Sequence, residues 1–184
     1  MNQPISSGTV LLAEPFMMDP GFKRAAVLLV DHDIGGSVGF ILNRPVNTRI
    51  NEIIEEFADF DAPLYYGGPV QTDTIHYLHA KGDLLEGSDE VSPGVYWGGD
   101  YEQLKFLISS GIIQPHDIRF FLGYAGWSEQ QLDEELRHGS WVTADMDANY
   151  LFNSEAASLW RQVMDNKGDT YSVISEMEDG PLYN

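Results

Sequence analysis

Three short segments rich in apolar and β-branched residues stand close together in the first quarter of the chain. They cover residues 9–13, 25–30 and 38–42, and Gly, Pro, Asp and Asn separate them. Such segments are too short for helices and predict strands. The segment at 25–30 has no polar position, which is typical of a strand covered on both faces. Residues 31–36, which end in two glycines, predict a hairpin turn between the second and third strands.

The spacing of apolar residues changes to a helical period in four later segments. Each segment follows a residue whose side chain can cap a first turn: Asn47 or Thr48, Asp100, Ser128 and Ser154. The predicted ends of these helices lie near residue 57, at Gly111, at Gly139 and before Gly168. The apolar face of the first predicted helix consists of Ile50, Ile53, Ile54 and Phe57.

Five further strands are predicted from β-branched and aromatic composition, at residues 64–66, 74–79, 95–97, 118–123 and 141–143. The order β-β-β-α-β-β-β-α-β-α-β-α is not a regular alternation. It predicts an α/β or α+β-like fold over residues 1–184, a single-domain sandwich of a mixed β-sheet with helices. Residues 165–184 form an acidic C-terminal segment with a strand-like piece at 171–174, and we expect the final residues to be mobile.

The charge of the chain is strongly negative, with 10 Lys and Arg against 29 Asp and Glu, a net charge of −19. Residues 1–50 hold four side chains of each sign, so residues 51–184 carry the whole excess. Nucleic-acid binding depends on cationic side chains that displace counterions from phosphates. We therefore expect no direct contact with DNA or RNA, and interpret the acidity as a solvating surface or as a face for a basic partner.

The chain of 184 residues contains no cysteine, which excludes disulfides, thiolate zinc sites and cysteine nucleophiles. Its first residues show no secretory signal, and its longest wholly apolar run is far shorter than the roughly 20 residues of a membrane helix. These features predict a cytoplasmic protein that does not enter a membrane.

The first candidate binding segment is Asn43-Arg44-Pro45, at the end of the third predicted strand. The proline holds Arg44 in an extended conformation and is expected to stop strand pairing there. Arg44 is able to donate a planar fork to a carboxylate or a phosphate. The alternative is structural: Arg44 pairs with a local acid, and Asn43 caps the next turn.

The second candidate segment is Gly67-Gly68-Pro69, which follows a predicted strand. Two successive glycines free their backbone N–H groups, and such a nest can hold an anion. The alternative is a plain tight turn, since the pattern is not that of a phosphate loop.

The third candidate segment comprises Gly123, Tyr124, Gly126 and Trp127, between a predicted strand and a predicted helix. Its small residues would let a ligand or another backbone approach, beside free N–H groups at the helix start. The alternative is a strand–turn–helix that only packs on the core.

The N-terminal segment at 16–22 contains four large apolar side chains, those of Phe16, Met17, Met18 and Phe22. They either cover the core or line an exposed cleft.

The sequence contains no His-Glu-x-x-His motif and no Rossmann glycine pattern. His76 and His79 would point to opposite faces of a strand, a poor arrangement for one metal ion. We therefore name no catalytic residue, no metal ligand and no cofactor.

The chain resembles the AlgH/YqgE family of bacterial proteins in segments spread over nearly its whole length. The matching residues are 8–15, 19–24, His32, Gly36, Gly39, 42–45, 66–70, 121–127, 131–132, Glu134, Leu136 and 139–141. The resemblance implies a single α/β domain with a mixed sheet. It implies no reaction, because the family's biochemical function is not established, although some members are labelled transcriptional regulators.

Three hypotheses follow for the function. The first is a non-enzymatic binding or regulatory module whose surface forms where the three candidate segments meet. The second is an enzyme acting on a small anionic substrate, with Arg44 and the glycine nest binding charge and an Asp, a Glu or His32 moving a proton. The third is a structural partner protein that uses its acidic C-terminal half. The ligand or protein partner and the oligomeric state stay open.

Overall fold

Ten strands form one connected β-sheet in residues 4–176, the part of the chain that this computed structural model describes. The strands are β1 (Thr9–Ala13), β2 (Ala26–Asp33), β3 (Gly36–Ile41), β4 (Pro45–Arg49), β5 (Pro63–Tyr66), β6 (Val70–His79), β7 (Asp89–Ser92), β8 (Val95–Trp97), β9 (Ile118–Ser128) and β10 (Trp141–Asp145). The helices of the same residues are α1 (Tyr101–Ser109), α2 (Gln131–Arg137), α3 (Ala148–Phe152), α4 (Ala156–Asn166) and α5 (Asp169–Ser175).

The sheet follows the order β10-β1-β2-β3-β9-β6-β8-β7, and β5 joins it through β9 with β4 as its outer neighbour. The pair β5–β9 is parallel and the others are antiparallel, so the sheet is mixed, as predicted. Helices pack on the sheet, and the predicted α/β fold is confirmed. No helix of residues 4–176 is long and apolar enough to span a bilayer.

The core confirms that β2 is covered on both faces. Leu28 packs in a cluster with Phe121 and Trp160, whereas its neighbours Val27 and Leu29 pack in another with Trp127, Trp141 and Leu132. This alternation is the period of two that a strand imposes on its side chains. A third cluster joins α1 to β5, β6 and β9 through Phe120 and its neighbours.

The helix predicted from Asn47 or Thr48 to residue 57 is wrong. Residues up to Arg49 form β4, and two single 3-10 turns follow, at Ile50–Glu52 and Glu55–Phe57. Ile54 between them is extended (φ −106°, ψ 110°), so the helical period is broken. The pairing of β4 with β5 and the bond from Ile50 N–H to Ala62 O hold this path, and tertiary contacts override the local pattern.

The strand-like piece predicted at residues 171–174 is also wrong, because it lies in α5. Packing on α4 decides the conformation: the Ser175 hydroxyl, fully buried, donates to an Asp165 carboxylate oxygen at 2.7 Å. β-Composition over four residues is too weak a signal to resist such packing. The remainder of the predicted mobile end, residues 177–184, lies outside the described residues.

The caps of the predicted helices are confirmed for α1, where an Asp100 carboxylate oxygen accepts from Gln103 N–H at 2.7 Å. They differ for the other two helices. Gln130 and Glu155, rather than Ser128 and Ser154, stand at the N-caps of α2 and α4. Ser128 still belongs to β9, and Ser154 donates to the carbonyl oxygen of Asn149 in α3, a helix that the sequence did not indicate.

The chain crosses over β9 between β5 and β6. Residues 120–122 of β9 pair with both of these strands, so β5 and β6 lie on opposite edges, and residues 67–69 must pass from one edge to the other. The passage runs against the backbone of Tyr124 and Ala125, close to Gly68. Glycine on both sides of the crossing, at Gly68 and Gly123, lets the two backbones touch.

Candidate functional site

Asn43 is a buried structural tie, and it does not cap the next turn. Its Oδ1 accepts from Ala26 N–H at 3.0 Å, and its Nδ2 donates to Arg24 O at 2.9 Å. The side chain thereby continues the pairing of β3 with β2 beyond the last residue of β3. Both of its hydrogen-bonding groups are satisfied by backbone, as buried polar groups require.

Arg44 occupies the bend between β3 and β4 and is half-buried. Its guanidinium donates to the carbonyl oxygens of Lys23 and, at 3.4 Å, of Asn43. Burial lowers the pKa of Arg44 from its ordinary value. Within residues 4–176 no carboxylate oxygen lies within 4.0 Å of it, so the local acid pairing weighed as its alternative role is not found there.

Pro45 does not end strand pairing, and the prediction that it would is wrong. It is the first residue of β4 and lies opposite Tyr65 in β5. A proline is tolerated at the first position of a strand, where its missing N–H is not required by the ladder.

A cleft of about 300 Å³ opens beside Asn43 and Arg44, and we refer to it as the arginine cleft. Its lining residues are Arg24, Asn43, Arg44, Ala156, Ala157, Ser158, Trp160 and Arg161. The Arg24 guanidinium carbon lies 4.4 Å from the centre of the Trp160 ring, a cation–π contact. The ring itself is fixed, since Trp160 Nε1 donates to Ala13 O at 2.9 Å.

The arginine cleft concentrates positive charge in an acidic protein. Three of the ten basic residues of the chain line it. A fourth, Arg119, donates to the carbonyl oxygen of Leu42 at 3.1 Å, next to Asn43 in the chain, and lies 4.1 Å from the centre of the Tyr65 ring. Burial also lowers the pKa of Arg119. Partly desolvated cations create a site at which an anion gains more than it would in open water.

The second candidate segment serves the crossing of the chain rather than an anion nest. Gly67 N–H donates to Leu122 O at 2.7 Å, and Gly67 O accepts from Ile41 N–H at 2.9 Å. The first of the two predicted donors is therefore already used. Gly68 and Pro69 continue from there over β9 to β6.

The third candidate segment is not a turn before a helix, because β9 runs through it to Ser128. Tyr124, Gly126 and Trp127 line a different cleft of about 520 Å³, together with Asp31 and other residues of the β2–β3 hairpin. The described linings of this cleft and of the arginine cleft have no residue in common. The second and third segments nevertheless lie against each other, because the atoms nearest to Gly68 belong to the backbone of Tyr124 and Ala125. That all three segments form one binding surface stays a prediction.

The apolar residues at 16–22 divide between the two roles considered for them. Phe16 and Met18 are 66% and 83% exposed, whereas Met17 and Phe22 pack against the core cluster that contains Val27, Leu29 and Trp141. The Phe22 ring meets the Trp141 ring edge-on at 5.7 Å.

The described residues contain no group of three His, Asp or Glu side chains that could hold a metal ion. His76 and His79 face different neighbours: the first contacts the Phe40 ring at 5.3 Å, and the second stacks on Tyr96 at 5.9 Å. His79 is fully buried, and its Nδ1 accepts from Lys81 N–H at 3.1 Å. The proton therefore lies on Nε2, which donates to Gly98 O at 2.8 Å.

This buried neutral histidine predicts a pH dependence of stability. Burial lowers the pKa of His79 below its ordinary 6.5, so the unfolded chain binds more protons near and below that pH. The free energy of unfolding is expected to fall as the pH drops from 7.5 through 6.5 towards the folded-state pKa. Urea titrations at several pH values should show a shallower fall for His79→Gln, and an unchanged slope would contradict the assignment.

Sequence reasoning missed Arg24, Trp160 and Arg161. Trp160 is buried in α4 and yet reaches the cleft. Arg24 has a left-handed backbone (φ 52°), for which its sequence offers no signal. Arg161 follows directly after Trp160, and helical spacing from Ala157 places both 157 and 161 on one side of α4, the only clue available.

Comparisons with known proteins agree on one family. A family model described as AlgH-like (DUF179) matches residues 10–172. A UPF0301 protein of Chlorobaculum tepidum is 44% identical over 180 residues, 98% of this chain and 96% of the relative. A UPF0301 protein of Bacteroides thetaiotaomicron is 39% identical over 97% of this chain and 91% of the relative.

Two solved structures are similar to the chain over most of its length. The solution structure of the AlgH protein from Pseudomonas aeruginosa has a TM-score of 0.73 and 28% identity, covering 97% of this chain and 99% of that protein. The crystal structure of a Corynebacterium diphtheriae protein has a TM-score of 0.78, covering 96% and 94%. At 22% identity the latter shows the fold alone.

Proposed function

The chain belongs to the AlgH-like (DUF179) family, and we propose that it is a non-enzymatic binding or regulatory module whose arginine cleft holds a small anion. Membership supplies the fold and no reaction. The observation that carries the proposal is the convergence of Arg24, Arg44 and Arg161 on one cleft in a protein of net charge −19.

The state of Arg44 supports this proposal. Its guanidinium is half-buried and donates to carbonyl oxygens, while no carboxylate of the described residues lies within 4.0 Å of it. Withdrawing a cation from water is costly unless an anion compensates for it. A bound anion would supply charge-assisted hydrogen bonds that the protein's own described side chains do not.

Binding is favoured over catalysis by the composition of the cleft. Its described lining includes no Asp, Glu or His to move a proton, and Ser158 donates to Glu155 O at 3.4 Å. The acidity of the chain disfavours DNA as the partner, so a regulatory role would act through a small molecule or a protein. A cytoplasmic location stays a prediction.

The test is thermal unfolding in the presence of inorganic phosphate and succinate, two small anions of different geometry. An anion at about a hundred times its dissociation constant is expected to add roughly 2.7 kcal/mol, which corresponds to a shift of a few degrees. Arg161→Ala should reduce the shift, and its side chain is exposed, so the fold should survive the change.

Arg137→Ala is the matched control, because Arg137 is an exposed arginine of α2 outside the cleft lining. It should leave the shift unchanged. Arg44→Lys keeps the charge and loses the planar fork. The shift in unfolding temperature that the anion causes should therefore be smaller in this variant than in the unaltered protein. A shift that survives Arg161→Ala and Arg44→Lys, or no shift with either anion, would refute binding at the arginine cleft.

A further inference from the structure

The three guanidinium groups of the arginine cleft come from three separate elements. Arg24 precedes β2, Arg44 joins β3 to β4, and Arg161 stands in the second turn of α4. Arg24 is stacked on Trp160, Arg44 is tied to the Lys23 carbonyl, and Arg161 donates to Ser175 O at 3.3 Å, so each group is held by its own contacts. A ligand that engages Arg44, Arg161 and the start of α4 must therefore offer acceptor atoms in more than one plane.

The beginning of α4 adds further donors to the same cleft. Ala156 and Ala157 line it, and side chains of this size leave the first turn of the helix open to a ligand. The first N–H groups of a helix lack the usual partner four residues earlier, and the Glu155 side chain at the N-cap makes no capping bond. Ser158 N–H donates to Glu155 O at 3.2 Å, so the donors that face a ligand are those of Ala156 and Ala157. These N–H groups and the helix dipole favour negative charge at this end.

We propose that the ligand of the arginine cleft carries a phosphoryl group, as a small phosphate monoester does; this inference rests on the anion-binding function proposed above. A carboxylate has two coplanar oxygens, which one arginine fork satisfies. A phosphate monoester has three terminal oxygens in tetrahedral arrangement and nearly two negative charges at neutral pH. It therefore matches donors that arrive from the bend between β3 and β4, from the second turn of α4 and from the start of that helix.

The size of the arginine cleft agrees with a small phosphorylated molecule. Its volume of about 300 Å³ stands at the lower end of the range of ligand pockets in proteins. The phosphoryl group would lie between Arg44, Arg161 and the first turn of α4, with Arg24 and the edge of Trp160 beside it. The organic part of the ligand would extend towards the open side of the cleft.

Isothermal titration with phenyl phosphate and benzoate tests the inference, because the two probes share a ring and differ in the anion. We expect phenyl phosphate to bind at least about tenfold more tightly than benzoate, since it forms more charge-assisted hydrogen bonds. Arg44→Ala and Arg161→Ala should each weaken phenyl phosphate binding by about tenfold or more. Arg137→Ala should leave it unchanged, and far-ultraviolet circular dichroism should show that each variant is folded.

The outcomes separate the two proposals. Equal or tighter binding of benzoate, still lost in Arg161→Ala, would overturn the phosphoryl assignment and leave the anion site standing. Binding of neither probe, or binding of phenyl phosphate that both arginine variants retain, would overturn the anion site as well.

Discussion

Gly68→Ala is expected to lower the free energy of unfolding by about 3 kcal/mol or more. A Cβ on Gly68 would lie 2.2 Å from the carbonyl carbon of Tyr124 and 2.3 Å from the nitrogen of Ala125. Both atoms belong to the backbone of β9, which β3 and β6 hold on either side. The crossing chain therefore cannot move aside without disturbing the pairing of these strands. The positive φ of Gly68 (155°) adds strain to any other residue at this position.

Urea-induced unfolding of the Gly68→Ala protein is the measurement, and Gly126→Ala is the matched control in the same region. At Gly126 the nearest atom to an added Cβ is Tyr124 Cε2 at 3.5 Å, an ordinary contact. The control is expected to stay within about 0.5 kcal/mol of the unaltered protein. Equal stability of the two variants would show that the backbones at the crossing are not in contact.

Asn43→Ala is expected to cost about 3 kcal/mol of unfolding free energy, the second largest effect. The change removes the two hydrogen bonds that the Asn43 side chain makes, one from Ala26 N–H and one to Arg24 O. Ala26 is fully buried, and each buried polar group left unpaired costs about 1–3 kcal/mol. The same change would also loosen Arg24 beside the arginine cleft. A loss of anion binding in this variant would therefore reflect the altered structure and not a direct contact of Asn43 with the anion.

Chemical denaturation of Asn43→Ala should be compared with Asn47→Ala, which removes an exposed amide from β4. The control is expected to change stability by no more than about 0.5 kcal/mol. If both variants were equally stable, Asn43 would not be the tie between β2 and the end of β3. Its place in the cleft lining would then have to be explained by recognition.

Much of the fold was predictable from the sequence because local patterns are strong where both faces of a strand are buried. β1 was predicted with its bounds, and α1 with its Asp100 cap. The failures at residues 48–57 and 171–174 have one cause: the local pattern was weak, and long-range partners, β5 in one case and α4 in the other, decided the conformation. The family assignment from matching residues is confirmed.

The candidate site was predictable only in part. An arginine before a proline at the end of a buried strand identified Arg44, and the structure places it in a cleft. Its companions lie far away in the sequence, Arg24 before β2 and Arg161 in α4, and no local pattern links them. The glycines of the third segment were predicted to admit a ligand or another backbone, and at Gly123 the approaching group is the chain's own backbone. The glycines of the second segment, predicted as an anion nest or a tight turn, lie at the same crossing.

The sequence by itself determined the strands and helices with clear periodicity, the acidity and the absence of cysteine chemistry, because these depend on neighbouring residues or on counting. Only the tertiary structure decided which arginines share a cleft, that Asn43 ties two strands, and that Gly68 and Gly123 serve a crossing of the chain. The physical reason is that burial and charge clustering arise from contacts between residues distant in sequence. No local pattern of side chains shows which distant residues will meet.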